Sequence, residues 1–160
     1  MDDLAFLRAF HVLGVVLWIG GVALVTTALL PGASAGRSAA EALVLFTAVE
    51  RRFAWQARLM VVIVGITGFA MVERLSAWNR FRELDFWWMH AMVGTWLVFA
   101  LLLFVLEPLL GGRLLGRLAE RAPALALARL RRLHAALLAL SLVTIFGAVA
   151  GSHGAGWHFF

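Results

Sequence analysis

The chain has 160 residues, 63% of them hydrophobic, with a mean hydropathy of +0.93 and a formal net charge of +5. Soluble domains are nearer half apolar, so an ordinary water-soluble globule is excluded. The isoelectric point near 11.6 does not mark a nucleic-acid partner. Every basic residue is an arginine and most stand in particular connections between apolar blocks, the pattern of a membrane protein.

Four apolar blocks, about 4–30, 53–75, 86–110 and 133–151, are each near the ~20 residues that cross a bilayer as a helix. With their turns they use residues 1–160 as a single transmembrane domain. The first block opens on Asp2 and Asp3 instead of a basic segment, and it is too long for the core of a cleaved leader. Pro31 and the run Gly32-Ala33-Ser34-Ala35-Gly36 are expected to end it. Residues 39–52 then read as an amphipathic extension or interfacial helix. Ser76 to Asp85 is a short turn, Glu107-Pro108 closes the third block, and Gly111-Gly112 opens a loop that runs to Pro123. Short connections predict an all-α, up-down-up-down four-helix bundle, with helices 1 and 3 diagonal.

Arginine placement sets the expected orientation. Arg37, Arg51, Arg52, Arg58, Arg113, Arg117, Arg121, Arg129, Arg131 and Arg132 belong to one side. Arg8, Arg74, Arg80 and Arg82 belong to the other, where five acidic residues offset them. The positive-inside rule puts both termini outside and the arginine-rich connections in the cytoplasm of a multi-pass inner-membrane protein.

Histidine carries the chemistry. His11, Gly14, Trp18 and Gly21 fall at i, i+3, i+7 and i+10, one stripe of the first helix. His90 opens the third block with Gly94 one turn deeper. Both blocks start outside, so the two imidazoles are expected at similar depth, about 10 and 6 Å in. Two neutral imidazoles at matched depth can hold the iron of a b-type haem, and the glycines would admit a flat group. Met92 is the alternative axial ligand to His90. Helical rotation puts it on another face, with Met89, Trp96 and Phe99, expected to meet lipid or a neighbour. Trp18, Trp87, Trp88 and Trp96 could wall the macrocycle, although Trp78, Trp87 and Trp88 also suit an interfacial belt. His134 follows Arg131 and Arg132 at the opposite face and is expected not to ligate. His153 and His158 flank Trp157 in a tail that reads as a surface anchor. Gly65, Gly68, Ser141, Thr144, Ala148 and Gly151 suit close helix packing.

The segment His11-Val-Leu-Gly-Val-Val-Leu-Trp18-Ile-Gly-Gly21 resembles the first-helix motif of small bacterial membrane proteins of the CopD-like and HemJ-like superfamily. Trp88-Met89-His90-Ala91-Met92 is similar to the HemJ pattern at the third helix. The resemblance covers helices 1 and 3 and implies four spans and b-type haem near His11. Met92 stands where the HemJ enzymes have lysine, and Thr26 and Thr27 stand where they have a proline–arginine pair. Those departures count against a porphyrin-oxidising enzyme. Met71, Met89 and Met92 are too scattered to favour a CopD-like copper role. The expectation is a membrane cytochrome with haem b held by His11 and His90, alongside Gly14, Trp18 and Gly94. It would transfer single electrons with quinone or a redox partner, alone, as a homo-oligomer or within a larger complex. Copper handling and haem-dependent porphyrin oxidation are the alternatives.

Overall fold

The computed structural model describes residues 2–154; the side chains of Asp2 and of residues 110–115 fall outside the description. Trp157 and His158 lie beyond it. The described residues are helical nearly throughout, without a strand. In chain order they form α1 (Asp2–Leu24), a π-helical turn (Val25–Leu29), α2 (Leu30–Ser34) and α3 (Ala39–Arg74). Two 3-10 turns (Ala77–Arg82, Leu84–Phe86) lead to α4 (Trp87–Leu101). A π-helix (Leu102–Leu115), α5 (Gly116–Arg121) and α6 (Pro123–Ser152) complete them. Four stretches, Asp3–Ser34, Ala39–Arg74, Leu84–Leu109 and Pro123–Ser152, are long and apolar enough to cross a membrane. Their outer faces carry large apolar side chains in the open: Trp55 is 69% exposed, Phe146 66% and Ile66 64%. Water does not tolerate such a surface, whereas lipid does.

Three helix ends differ from the sequence expectation. The first helix does not stop at Leu30 but continues to Ser34. The Thr26 and Thr27 hydroxyls donate to the Val22 and Ala23 carbonyls, both at 2.7 Å. Such back-bonding accompanies a loosened π turn, and Pro31 then occupies the first turn of α2, where a missing N–H is harmless. The expected loop from Gly111 to Pro123 is instead helical up to Arg121. Pro108 lies inside the π-helix, so the third rod is not closed there. The fourth helix begins at Pro123, ten residues before the apolar block, on a run of alanine and leucine with high helix propensity. Residues 39–52 join the second span in one 36-residue helix. At 1.5 Å per residue that is about 54 Å, well beyond a bilayer core of about 30 Å. Ser38 and Glu41 start it with a capping box.

Side-chain contacts join the rods along their lengths. Asp3 meets Arg74, His11 meets Thr67, and Gly21 faces Phe53. On the third rod, the Trp96 indole donates to the Val61 carbonyl at 2.8 Å, and Thr95 shares a hydrogen bond with Thr144 at 2.8 Å. Aromatic side chains seat on glycines of the neighbouring helix: Phe53 on Gly21, Trp96 on Gly65, Trp87 on Gly147 and Trp88 on Gly151. In lipid there is no hydrophobic force to press helices together, so this close packing is what joins them. Trp87, Trp88 and Trp96 therefore wall helix contacts. Gly65, Thr144 and Gly151 carry the small-residue packing expected of them, and Gly147 joins them.

A Cβ at Gly65 would stand 2.7 Å from the Trp96 ring, whereas one at Gly94 meets nothing within 4 Å. Gly65→Ala should therefore destabilise the folded protein by about 1–3 kcal/mol through overpacking. Gly94→Ala should be neutral or stabilising by up to about 1 kcal/mol through helix propensity. Unfolding in mixed micelles distinguishes the two, and equal effects would show that the Trp96 seat is unimportant.

Candidate functional site

The histidines of the first and third rods differ in setting. His11 is half-buried, and its Nδ1 lies 3.0 Å from the Thr67 hydroxyl. That hydroxyl donates its single hydrogen to the Ile63 carbonyl at 2.7 Å, so it accepts from His11. His11 Nδ1 thus carries the proton, and Nε2 keeps a free lone pair. His90 is exposed, and its Nε2 donates to the Phe81 carbonyl at 3.0 Å, leaving Nδ1 free. No contact joins the two rings among the described residues. The expected inward stripe of the third rod is turned outward: His90, Gly94 and Leu97 are exposed. Met89 and Phe99 are buried and Met92 is half-buried, so Met92 shares the face that meets the bundle.

A haem iron needs oriented neutral nitrogens, and both imidazoles qualify, each held by one hydrogen bond through its other nitrogen. The flat slot read from the glycine stripe is a different matter. The Val64 side chain seats on Gly14 and Phe53 on Gly21, so both glycines serve helix contact. Trp18 is 3% exposed and packs edge-on against Phe99, with ring centroids 4.7 Å apart. Among the described residues its indole N–H has no acceptor. Each imidazole taken singly could ligate iron, and the space for a macrocycle is not made by Gly14 and Gly21. Among the described residues no three His, Cys, Asp or Glu side chains gather as a metal cluster.

Space opens at the arginine-rich end. A cavity of about 730 Å³ lies among the four rods and α5, within the usual range of ligand sites. Trp18, Phe53 and Phe99 contribute aromatic wall, with leucines and alanines between them. Glu50, Glu107 and His134 supply its half-buried polar groups; Arg117, Arg121 and Arg129 stand at its exposed edge. The Leu102–Leu115 π-helix forms part of the lining through Leu102, Leu103, Leu106 and Glu107.

The charges are organised. Arg58 donates through Nε to the Leu103 carbonyl at 3.1 Å and pairs with the Glu107 carboxylate through a terminal nitrogen. One side chain thereby ties α3 to the π-helix. His134 is half-buried and stands edge-on to Phe46, with ring centroids 5.5 Å apart. Its Nδ1 donates to the Leu130 carbonyl at 3.0 Å, so Nε2 is free to accept. Among the described residues no hydrogen bond engages the Glu50 carboxyl. Sequence reasoning passed over Glu50, Glu107 and the pairing role of Arg58. The signal was present for Arg58 and Glu107, ionisable residues within apolar blocks, whereas Glu50 falls in the amphipathic 39–52 stretch where nothing marked it. His153 is exposed and turned to its own helix, bonding the Val149 carbonyl. On the other side Arg74 pairs with Asp3, and Arg80 lies over the Phe86 ring.

Compared with known proteins, the chain matches no family model, no curated protein and no solved structure.

Arg58→Ala should lower stability by about 1–3 kcal/mol, because the Leu103 carbonyl and the Glu107 carboxylate both lose their donor. Arg58→Ala combined with Glu107→Ala should recover part of that loss. A double-mutant cycle in detergent measures the coupling, and strict additivity would show that the pair is inert.

Proposed function

We propose that the protein is a multi-pass haem b protein of a bacterial inner membrane that transfers single electrons with quinone or a redox partner. The observation that carries this reading is the fixed tautomer of His11. A threonine whose own hydrogen is committed elsewhere holds Nδ1–H and leaves Nε2 as a ligand within an apolar span. The resemblance of the His11 to Gly21 segment to CopD-like and HemJ-like proteins points the same way. Bound haem would supply a one-electron couple, its potential tuned by the second axial ligand. His11 is the ligand on the first rod. On the third, the paired-histidine pattern favours His90, while the inward face carries Met92. The copper alternative lacks a cluster of ligands among the described residues.

Purified protein should show a Soret band and, after reduction, a sharp α band of the b type, both lost in His11→Ala. Protein that stays colourless after expression with ample haem and addition of haemin would reject the assignment. Comparing His90→Ala with Met92→Leu identifies the partner: whichever variant loses the low-spin spectrum has lost a ligand.

We further propose that both termini are external and that the arginine-rich connections face the cytoplasm, an up-down-up-down course. The ten-to-four arginine asymmetry supports it. A reporter fused after residue 160 should report the external side, and one inserted near Ala122 the cytoplasm. The reverse pattern would invert the orientation.

A further inference from the structure

We propose that the cavity at the arginine-rich end binds the head of a membrane hydroquinone, in preference to the oxidised quinone. This deepens the reading above by giving the quinone partner a site of its own, away from His11.

The chemistry of the lining selects the ligand. The body of the cavity is hydrocarbon and aromatic, suited to a flat ring with an apolar tail. Its half-buried polar groups are acceptors. His134 offers Nε2, because Nδ1 is spent on the Leu130 carbonyl. Glu50 offers carboxyl oxygens that no hydrogen bond engages among the described residues. Glu107 accepts from Arg58 and has a second oxygen to spare. Trp18, whose N–H finds no acceptor among the described residues, forms part of the same wall.

A wall with three acceptors and, among the described residues, one unengaged donor in the Trp18 N–H calls for a ligand that can donate as well as accept. A hydroquinone carries two phenolic O–H donors on one ring, whereas its quinone carries two carbonyls that can only accept. A metal ion would need more ligands than this wall brings together. An anionic head would find no unpaired arginine inside, because Arg58 is engaged by Glu107 and the Leu103 carbonyl. The three arginines of the lining sit at the exposed edge, where solvent screens them. A neutral donor with a hydrocarbon tail avoids both penalties, and it reaches the cavity through lipid.

The test is anaerobic calorimetry on the full-length protein in phosphatidylcholine nanodiscs. The probe is a benzohydroquinone with one isoprene unit, run beside its quinone. Saturable one-site binding is expected, tighter for the hydroquinone by about 3- to 12-fold, the value of one hydrogen bond. His134→Phe keeps a ring against Phe46 and removes the nitrogens, and should erase a similar factor. Glu50→Leu should do the same, while Glu50→Gln, which keeps an acceptor oxygen, should lose less. Absence of saturable binding overturns the proposal. So does equal affinity for the two forms, or wild-type affinity in both His134→Phe and Glu50→Leu. If phosphatidylglycerol in the disc displaces the probe, and Arg121→Ala with Arg129→Ala abolishes that displacement, the cavity holds a lipid phosphate instead. The optical spectrum is read separately. Colourless protein that binds hydroquinone rejects the haem and keeps this site; haem-loaded protein that ignores the probe does the reverse.

Discussion

The seating of aromatic side chains on neighbouring glycines sets the spacing of the whole bundle. Phe53 on Gly21, Trp96 on Gly65, Trp87 on Gly147 and Trp88 on Gly151 lock first to second, third to second and third to fourth rods. Each large ring needs a place where the opposing backbone carries no Cβ. Between lipid-facing helices the gain comes from dispersion and a few hydrogen bonds, because burial from lipid carries little hydrophobic drive. The Trp96 indole combines both, filling the Gly65 notch while donating to the Val61 carbonyl. The Thr95–Thr144 bond repeats the device on the other side of the third rod.

Where that close packing stops, the cavity begins. Of the two π-helical stretches, Leu102–Leu115 supplies lining residues itself, and Val25–Leu29 begins three residues after Val22 of the lining. A π turn widens the helix and frees carbonyls from their usual partners. At Thr26 and Thr27 side-chain hydroxyls compete for the Val22 and Ala23 carbonyls. In the π-helix that contains Pro108, Arg58 takes the Leu103 carbonyl from across the bundle. The widened segments and the arginine that braces one of them are parts of one arrangement.

Four long apolar helices were legible in the sequence because hydropathy is a property of composition, and a bilayer reads composition over about 20 residues. Their ends were not. Pro31 and Pro108 look like terminators, yet Pro31 falls at the start of a fresh α segment and Pro108 falls inside a π-helix. Gly111 and Gly112 look like a loop, but a helical connection links Leu101 to Gly116. The face of the third rod was also misread, for a physical reason. Its residues are apolar on every side, so period alone cannot say which side faces inward. The glycine after His90 suggested a cofactor slot, while Trp96 fills the Gly65 notch, Phe99 meets the Trp18 ring and Met89 is buried. In a membrane bundle, a glycine is better matched to the aromatic that fills it than to an empty slot.

The ionisable residues carry the clearest functional message because their placement opposes the folding energetics. Glu50, Arg58 and Glu107 could have been leucines at a gain in packing, since pairing a charge in an apolar setting at best offsets the loss of water. Arg58 and Glu107 satisfy one another and brace the π-helix, which gives them a structural reason to be there. Glu50 and His134 have no such reason: the carboxyl engages no partner among the described residues, and the imidazole turns one nitrogen to its own helix and keeps the other free. The unused hydrogen-bonding capacity of both lies on a cavity of about 730 Å³. Groups that the fold does not need, gathered where the packing leaves room, are what a binding site requires of a bundle otherwise built from glycine and aromatic contacts.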